Sequence, residues 1–263
     1  TLTMARSTDI FTFDPYNTQD DNSIFTEATI FDGLVRLGPD GKSVVPALAT
    51  AWHASKDGKA MTFTLRPGVR FSDGTPLASK DVAWSLQRDA DPKGSWGFLF
   101  APVTSVTADS ANAVTIHMSS PFAPLLPALT TFAASIYAKK VYSKYGSTGF
   151  GQHPLGTGPF MLKQWTKGVS LALVRNPYYW EAGKPYLDGV TFSVVGDDNT
   201  KILQLQSGQV DIIDRVPPNL LAQLRTNQKI NIESVKGTAV GWITINEAVK
   251  PLNDRNVRLA LAW

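Results

Sequence analysis

The sequence contains no cysteine among its 263 residues. This absence excludes disulfide bonds, thiolate metal sites and a cysteine nucleophile. The chain also lacks an uninterrupted apolar stretch of about 20 residues, the length that a helix needs to cross a bilayer, and residues 1–10 lack the features of a signal peptide. The sequence therefore predicts a mature chain without direct membrane insertion, and it leaves open whether the precursor carries a lipid anchor.

Charged residues are scarce as well, at 18% of the chain, with 25 basic and 22 acidic residues giving a net charge of +3. The basic residues are scattered, and their longest run is the pair Lys139-Lys140. A nucleic-acid-binding surface needs a concentrated basic patch, so we expect no nucleic-acid partner. Hydrophobic residues make up 43% of the chain, which favours a folded protein over a disordered one.

Residues with the spacing of a catalytic or metal site are missing. The histidines His53, His117 and His153 form no pair four residues apart and have no acid at metal-ligand spacing. No Gly-x-Ser-x-Gly motif occurs, and Gly156-Thr-Gly-Pro159 lacks the lysine of a phosphate-binding loop. We therefore expect no enzyme, no cofactor and no metal, although a hydrolase assembled from residues far apart in sequence stays an alternative.

The first third of the chain has clear periodic patterns. Residues Thr1–Arg6 alternate like a half-buried strand, and Asn22 is a good cap for a helix that Gly33 and Gly38 should end. A short helical turn is expected at Pro46–Trp52, followed by a hairpin that turns at Asp57-Gly58. The predicted first helix places its apolar residues on one face; they are Ile24, Phe25, Ala28, Phe31 and Val35.

Later segments alternate between strand and helix patterns. Ser79 is placed to cap a helix that runs to Arg88, and a helix from Asn199 to Gly208 lies between two strands, which predicts an α/β crossover. The last helix, capped by Asn253, reaches Trp263 without a stop signal, so the sequence looks cut. The predicted strands are 114–118, 160–165, 169–174, 190–195, 210–213, 230–235 and 239–245.

Short motifs follow one another in a characteristic order. They are Pro46-Ala-Leu-Ala49 with Trp52, Asp57-Gly58, Phe63-Thr-Leu-Arg66, Asp73-Gly74-Thr75, Asp81-Val82, Pro154-Leu-Gly-Thr-Gly-Pro-Phe160, Arg175-Asn-Pro-Tyr-Tyr-Trp180, Pro185-Tyr-Leu-Asp188, Leu205-Gln-Ser-Gly208 and Val257-Arg258. In order and spacing they resemble solute-binding protein family 5, whose members serve ABC importers of peptides, nickel and related solutes. The resemblance spans nearly the whole chain and departs at Ser72, where many relatives carry histidine.

The resemblance implies an α/β fold of the periplasmic-binding-protein-like type II, with mixed sheets flanked by helices. Family members are considerably longer, so the fold is expected to be incomplete, with the second lobe absent. Residues 1–43 and 158–263 should form the base subdomain of the first lobe, cut near the hinge to the second lobe. Residues 44–157 should form the extra subdomain that is typical of the larger members.

The resemblance also implies the substrate-binding component of an ABC importer, which captures a small peptide or similar solute by hinge closure between two lobes. Such a protein works in the periplasm or another extracytoplasmic space as a monomer, and its partners are the ligand and the permease subunits. A binder of nickel chelates, haem, glutathione or oligosaccharides on the same scaffold stays open, as does a surface receptor without a transport role. In peptide-binding relatives the charges that pair with the peptide termini come largely from the second lobe, so this sequence leaves the identity of the ligand open.

Two stretches are candidates for the first lobe's part of the ligand site. The polar segment 17–25 follows the first strand and faces the cleft in relatives, and the aromatic cluster around Trp96 lies in a glycine-flanked loop. A plain capped helix start and rings packed beneath a loop are the alternatives. The candidate ligand-binding residues are Asp20, Asn22, Ser23, Phe25, Trp96, Phe98 and, more weakly, Phe132.

Overall fold

The computed structural model describes residues 1–234 and 243–261 of the chain. The chain divides into two compact units, Thr1–Pro218 and Asn219–Trp263. Across the described ranges, no helix combines the length and the apolar character that a membrane span requires.

Strands and helices alternate along the first unit. In chain order they are β1 (Leu2–Arg6), α1 (Asp21–Ile30), β2 (Val35–Leu37), β3 (Val44–Pro46), β4 (Ala49–Ala54), β5 (Ala60–Leu65), α2 (Ser79–Asp89), β6 (Val103–Ser110), β7 (Ala113–Met118), α3 (Leu125–Leu129), α4 (Lys139–Phe150), β8 (Phe160–Thr166), β9 (Ser170–Arg175), β10 (Gly189–Val194), α5 (Asp198–Ser207) and β11 (Ile212–Ile213). Short 3₁₀ turns cover Gly97–Phe100 and Phe132–Ala134. Helix α6 (Pro218–Arg225) begins at the boundary, and the second unit contains α7 (Arg255–Ala260).

A mixed five-stranded sheet has the strand order β11-β1-β10-β9-β8. Strand β1 is parallel to both β10 and β11, and β9 is antiparallel to β10 and β8. Helix α5 connects the parallel strands β10 and β11, which confirms the predicted crossover. The helix stops where predicted, because Gly208 adopts the left-handed conformation with a φ of 74° that favours glycine.

A second, antiparallel sheet has the order β4-β5-β7-β6. The predicted hairpin is confirmed in β4 and β5, and Gly58 takes a φ of 67° in its turn. Phe63 and Val114 pair across β5 and β7, and both are fully buried. Because α2 packs on β6 and β7, this sheet has a helix on one face.

Each sheet has its own apolar core. One buried cluster includes Phe63, Val82 and Ile116 around the four-stranded sheet. The other includes Phe13 and Leu171 around the five-stranded sheet. The first unit therefore has two cores that are built from different parts of the chain. The five-stranded sheet combines β1 with β8 to β11, whereas the four-stranded sheet consists of β4 to β7.

Helix α1 differs from the prediction in its N-cap, in its C-terminal end and in the face that it buries. Its N-cap is Asp20 rather than Asn22, since a carboxylate oxygen of Asp20 accepts from the backbone N–H of Ser23 at 2.9 Å. The helix ends at Ile30, and Val35 lies in β2. The predicted apolar face was also wrong, because Phe25 is 69% exposed. The buried face consists of Ser23, Thr26, Glu27 and Ile30, whose polar members find hydrogen-bond partners inside the protein.

Other boundaries differ from the predictions. Residues 46–52 do not form the predicted helical turn: Pro46 ends β3, residues 47 and 48 form a bend, and β4 begins at Ala49. A short apolar run fits either structure. Ala78 and Asp254 are the N-caps where Ser79 and Asn253 were predicted; Ser79 is the first helical residue, and Asp254 rather than its neighbour accepts from the backbone N–H of Asn256. No strand forms at 230–234 or 243–245, and the remainder of those two predicted strands, 235 and 239–242, lies outside the described residues.

The Gly156-Thr-Gly-Pro159 motif packs against the end of α1. The N–H of Gly158 donates to the carbonyl oxygen of Ile30 at 2.9 Å. A Cβ atom on Gly156 would lie 2.2 Å from the same carbonyl oxygen, and one on Gly158 would lie 2.6 Å from it. The glycines therefore permit a close approach between two backbone segments rather than phosphate binding.

Gly156→Ala is expected to destabilise the protein by about 1–3 kcal/mol, because the new methyl group meets rigid backbone. Denaturant unfolding followed by tryptophan fluorescence measures the change. Gly196→Ala is the matched control, since its Cβ would meet nothing closer than 3.9 Å, and its effect should stay within about 0.5 kcal/mol. Equal effects from the two substitutions would contradict the close-approach explanation.

Candidate functional site

A buried ion pair fixes the connection between β1 and α1. Nη1 and Nη2 of Arg88, in the last turn of α2, donate to the two carboxylate oxygens of Asp14 at 2.7 and 2.8 Å. Both side chains are almost fully buried, and two parallel charge-assisted hydrogen bonds are a strong arrangement. The carbonyl oxygen of Asp14 accepts from the backbone N–H groups of Asn17 and Thr18. This pair therefore anchors the turn that leads into segment 17–25.

Aromatic rings surround the guanidinium of Arg88. Its central carbon lies 4.4 Å from the ring centroid of Tyr16, and three further rings lie within 5.6 Å. One of these belongs to Tyr137, whose hydroxyl accepts from Arg88 at 3.1 Å and donates to Asp89 at 2.5 Å. Burial raises the pKa of Asp89 well above its usual value. The network combines charge, hydrogen bonds and cation–π contacts around one side chain.

The two candidate stretches are in direct contact. The indole N–H of Trp96 donates to the carbonyl oxygen of Thr18 at 2.6 Å, and the backbone N–H of Ser95 donates to the carbonyl oxygen of Tyr16 at 2.9 Å. The side-chain amide of Gln19 also donates to the hydroxyl of Ser95 at 3.1 Å. Hydrogen bonds thus join segment 17–25 to the aromatic stretch.

Trp96 also contacts the other two aromatic candidates, Phe98 and Phe132. Its ring centroid lies 5.8 Å from that of Phe98 and 5.1 Å from that of Phe132, which it meets edge to face. Trp96 and Phe132 are partly buried against the core of the four-stranded sheet, whereas Phe98 is 63% exposed. Phe98 is therefore the member of this cluster that is most open to a ligand.

The candidates on α1 hold the preceding segment in place. The hydroxyl of Ser23 is fully buried and accepts from the backbone N–H of Phe11 at 2.9 Å. The amide of Asn22 donates to the carbonyl oxygen and the hydroxyl of Thr8 at 2.9 and 2.7 Å. Together with the cap formed by Asp20, these contacts orient the chain, and of the four α1 candidates Phe25 is the one with a largely exposed side chain.

Two buried cations lie at the carboxyl end of β1. Arg6 donates to the hydroxyl of Thr26 at 3.0 Å and stacks 4.4 Å from the ring centroid of Phe192. Burial lowers the pKa of Arg6, and the nearby carboxylate of Asp9 opposes this change. Lys201 donates to the hydroxyl of Ser7 at 2.6 Å. These contacts hold the start of the connecting segment against α1 and α5.

A pocket of about 400 Å³ opens beside segment 11–19. Its walls combine amide, hydroxyl and aromatic groups from that segment, from the end of α4 and from the β8–β9 turn, and include Phe11, Asn17, Gln19, Ser95, Gln152 and Trp165. None of the seven predicted ligand-binding residues lines it, although Asn17 and Gln19 belong to the predicted segment. In the described part of the chain, no group of three or more His, Asp or Glu side chains is arranged to hold a metal.

Phe11 is a candidate that sequence reasoning missed. It is 76% exposed, it lines the pocket, and its backbone is held by Ser23. Its neighbours Ile10 and Phe13 are buried. Phe11 is thus an exposed apolar side chain among buried ones, and the sequence does not reveal which of them is exposed.

Comparisons with known proteins relate this arrangement to binding proteins. The family model described as bacterial extracellular solute-binding proteins, family 5 middle, matches residues 43–263. The chain is 33% identical over 270 residues to the probable D,D-dipeptide-binding periplasmic protein DdpA of Escherichia coli strain K12, covering 100% of this chain and 52% of that protein. It is 29% identical over 264 residues to the glutathione-binding protein GsiB of Salmonella typhimurium, covering 100% and 51%.

Solved structures have the same fold. The periplasmic binding protein DppA from Helicobacter pylori, in complex with the peptide STSA, matches with a TM-score of 0.89 and 29% identity, over 99% of this chain and 55% of that one. MoaA from A. tumefaciens R10, in complex with mannopinic acid, matches with a TM-score of 0.92 and 26% identity, over 99% and 54%. The chain therefore spans about half the length of the relatives it matches.

Proposed function

Because the chain belongs to family 5 of the bacterial extracellular solute-binding proteins and has their type II periplasmic-binding-protein fold, we propose that the full protein captures a small peptide or similar solute for an ABC importer. The observation that carries the proposal is the exposure of Phe11, Phe25 and Phe98 at 76, 69 and 63%. Exposed rings supply apolar surface on which parts of a small solute can pack. These rings stand on segments that hydrogen bonds hold in place.

A peptide suits these groups chemically. Its backbone amides can pair with side-chain amides such as those of Asn17 and Gln19, and its side chains can pack on exposed rings. The relatives named above bind a D,D-dipeptide, glutathione and the peptide STSA, which are all peptides. Mannopinic acid, bound by MoaA, is a different kind of solute. Direct titration therefore has to decide the ligand of this protein.

The proposed mechanism is closure of a second lobe over this one. A ligand that contacts both lobes stabilises the closed form by its higher affinity for that form. The protein works outside the cytoplasm as a monomer, delivers its ligand to permease subunits and catalyses no reaction. The named relatives are binding proteins, which supports this non-enzymatic role. Most of the binding free energy then requires residues of both lobes.

We also propose the subdomain division into a base, residues 1–43 and 158–263, and an extra subdomain, residues 44–157. The two separate sheets support it. Strands β1 and β8 to β11 share one sheet, whereas β4 to β7 build the other, and each sheet has its own core.

Phe98→Ala in the full-length protein is expected to weaken the binding of small peptides roughly tenfold, or about 1.4 kcal/mol. Closure of the second lobe should enclose the Phe98 ring against the ligand, and alanine removes that contact. Isothermal titration calorimetry with a set of di- to tetrapeptides measures the change. Tyr186→Ala is the matched control, since Tyr186 is 84% exposed but lies outside the candidate segments. The proposal fails if no peptide binds, or if the Tyr186 variant loses as much affinity as the Phe98 variant.

A further inference from the structure

Glu27 is a fully buried acid on the inner face of α1. Within residues 1–234 and 243–261, no Lys, Arg or His lies within ion-pair distance of its carboxyl group. One carboxyl oxygen, Oε2, has no hydrogen-bond partner there. A buried charge without a cation is very costly, so this environment favours the neutral acid.

The hydroxyl of Thr18 lies between two oxygens that would both accept from it. Its Oγ1 is 2.9 Å from the carbonyl oxygen of Asp14 and 2.5 Å from Oε1 of Glu27. A hydroxyl carries a single proton and can donate to only one of them. Both short contacts become hydrogen bonds when Glu27 is protonated, since its O–H then donates to Thr18 and Thr18 donates to Asp14.

The titratable groups that face Glu27 strengthen this assignment, because all three are acids. Asp14 and Asp20 face it from the connecting segment, and Asp89 faces it from α2. Arg88 donates to Asp14, and Arg6 donates to the hydroxyl of Thr26 and lies 3.7 Å from a carboxylate oxygen of Asp9. Burial, with the repulsion of these acids, raises the pKa of Glu27 to about 9 against the opposing hydrogen bond with Thr18.

We propose that Glu27, as a neutral acid, is a positioning residue of the ligand site. Its proton completes a chain of hydrogen bonds from Glu27 through Thr18 to Asp14. The same Thr18 accepts from the indole of Trp96 through its carbonyl oxygen, so the chain of hydrogen bonds sets the position of the aromatic cluster. The link to ligand binding rests on the proposed function, whereas the protonation and its effect on Trp96 do not.

The first experiment needs no ligand. Infrared spectroscopy of the full-length protein should show a protonated carboxyl band at neutral pH that is absent in Glu27→Gln and disappears as the pH rises through about 9. In a ¹⁵N-labelled sample, the indole N–H resonance of Trp96 should shift over the same pH range in the wild type but not in Glu27→Gln. An ionised Glu27 at neutral pH would overturn the proposal, whatever the protein binds.

The second experiment measures affinity for the tightest-binding peptide from the titration set as a function of pH. The wild-type affinity should fall as the pH rises through about 9, because Glu27 then loses its proton. Glu27→Gln keeps a donor for Thr18, so it should bind within about twofold of the wild type at neutral pH and should not show this fall. Glu27→Leu and Thr18→Val interrupt the chain of hydrogen bonds and should weaken binding roughly tenfold at neutral pH. Glu233→Gln, an exposed control, should retain the wild-type pH profile.

These variants separate positioning from stability. If Glu27→Leu does not fold, Thr18→Val still tests the chain of hydrogen bonds, because it removes only the hydroxyl and leaves the acid in place. Wild-type affinity and an unshifted Trp96 resonance in Thr18→Val would overturn the proposal. If no peptide binds the wild type but the carboxyl band and the Trp96 shift are present, the proposed ligand class fails while the positioning role of Glu27 stands.

Discussion

Arg88→Met is expected to lower the free energy of unfolding by about 3–5 kcal/mol, among the largest losses for a substitution in this protein. Methionine removes both hydrogen bonds to Asp14 and leaves a buried carboxylate without its cation. The cation–π contacts with the surrounding rings disappear as well. Denaturant unfolding of the full-length protein followed by circular dichroism measures the loss.

Two further variants test the explanation. Arg175→Met removes an ion pair of similar length, 2.9 Å to Asp188, but both partners are exposed, so the loss should stay below about 1 kcal/mol. Asp14→Leu combined with Arg88→Met removes both buried charges and should recover part of the loss, since no unpaired charge remains. If Arg88→Met costs no more than Arg175→Met, the buried pair is not the anchor of the connecting segment.

The elements that the sequence predicted well bury one face against a single core. The hairpin of β4 and β5 and strand β7 place alternate apolar residues such as Phe63 and Ile116 in that core, so the period of two survives in the sequence. Helix α5 was predicted to start at Asn199, whereas its N-cap is Asp197, and it stops at Gly208 as predicted. Such features are short-range, so a single sequence is enough to find them.

Helix α1 is an element whose buried face the local pattern did not predict. Its apolar residues predicted an inward face that includes Phe25, yet the buried face carries Ser23, Thr26 and Glu27. These polar groups are buried because Phe11, Arg6 and Thr18 bind them. Their partners come from other segments, and the periodicity of one helix contains no information about them. Tertiary contacts therefore overrode the local pattern.

The sequence predicted the two segments of the candidate site, but not that they are in contact. The segment 17–25 and the stretch around Trp96 were both identified, yet the hydrogen bond from Trp96 to Thr18 joins residues 78 positions apart in the chain. Neither residue type indicates which partner it will bind. The exposure of Phe11 was missed for the same reason, since it depends on how Ser23 holds the backbone. The role of these residues in ligand binding stays a prediction.

Protonation of Glu27 should make the stability of the folded protein depend on pH. Its pKa of about 9 in the folded protein lies far above the value of roughly 4.3 for an unfolded chain. Between these values the folded state holds a proton that the unfolded state has released. The stabilisation from this proton is therefore fully present below about pH 4.3, falls as the pH rises and is lost once the folded pKa is passed.

In the wild type, the free energy of unfolding should therefore fall relative to Glu27→Gln by up to about 1.4 kcal/mol per pH unit between roughly pH 5 and the folded pKa. Glutamine cannot ionise, while the other acids are common to both proteins, so the difference isolates Glu27. Parallel urea titrations at a series of pH values measure it, with Glu233→Gln as the control that should follow the wild type. A difference between wild type and Glu27→Gln that does not change with pH would mean that Glu27 is ionised in the folded protein, and the chain of hydrogen bonds through Thr18 would then have to be assigned differently.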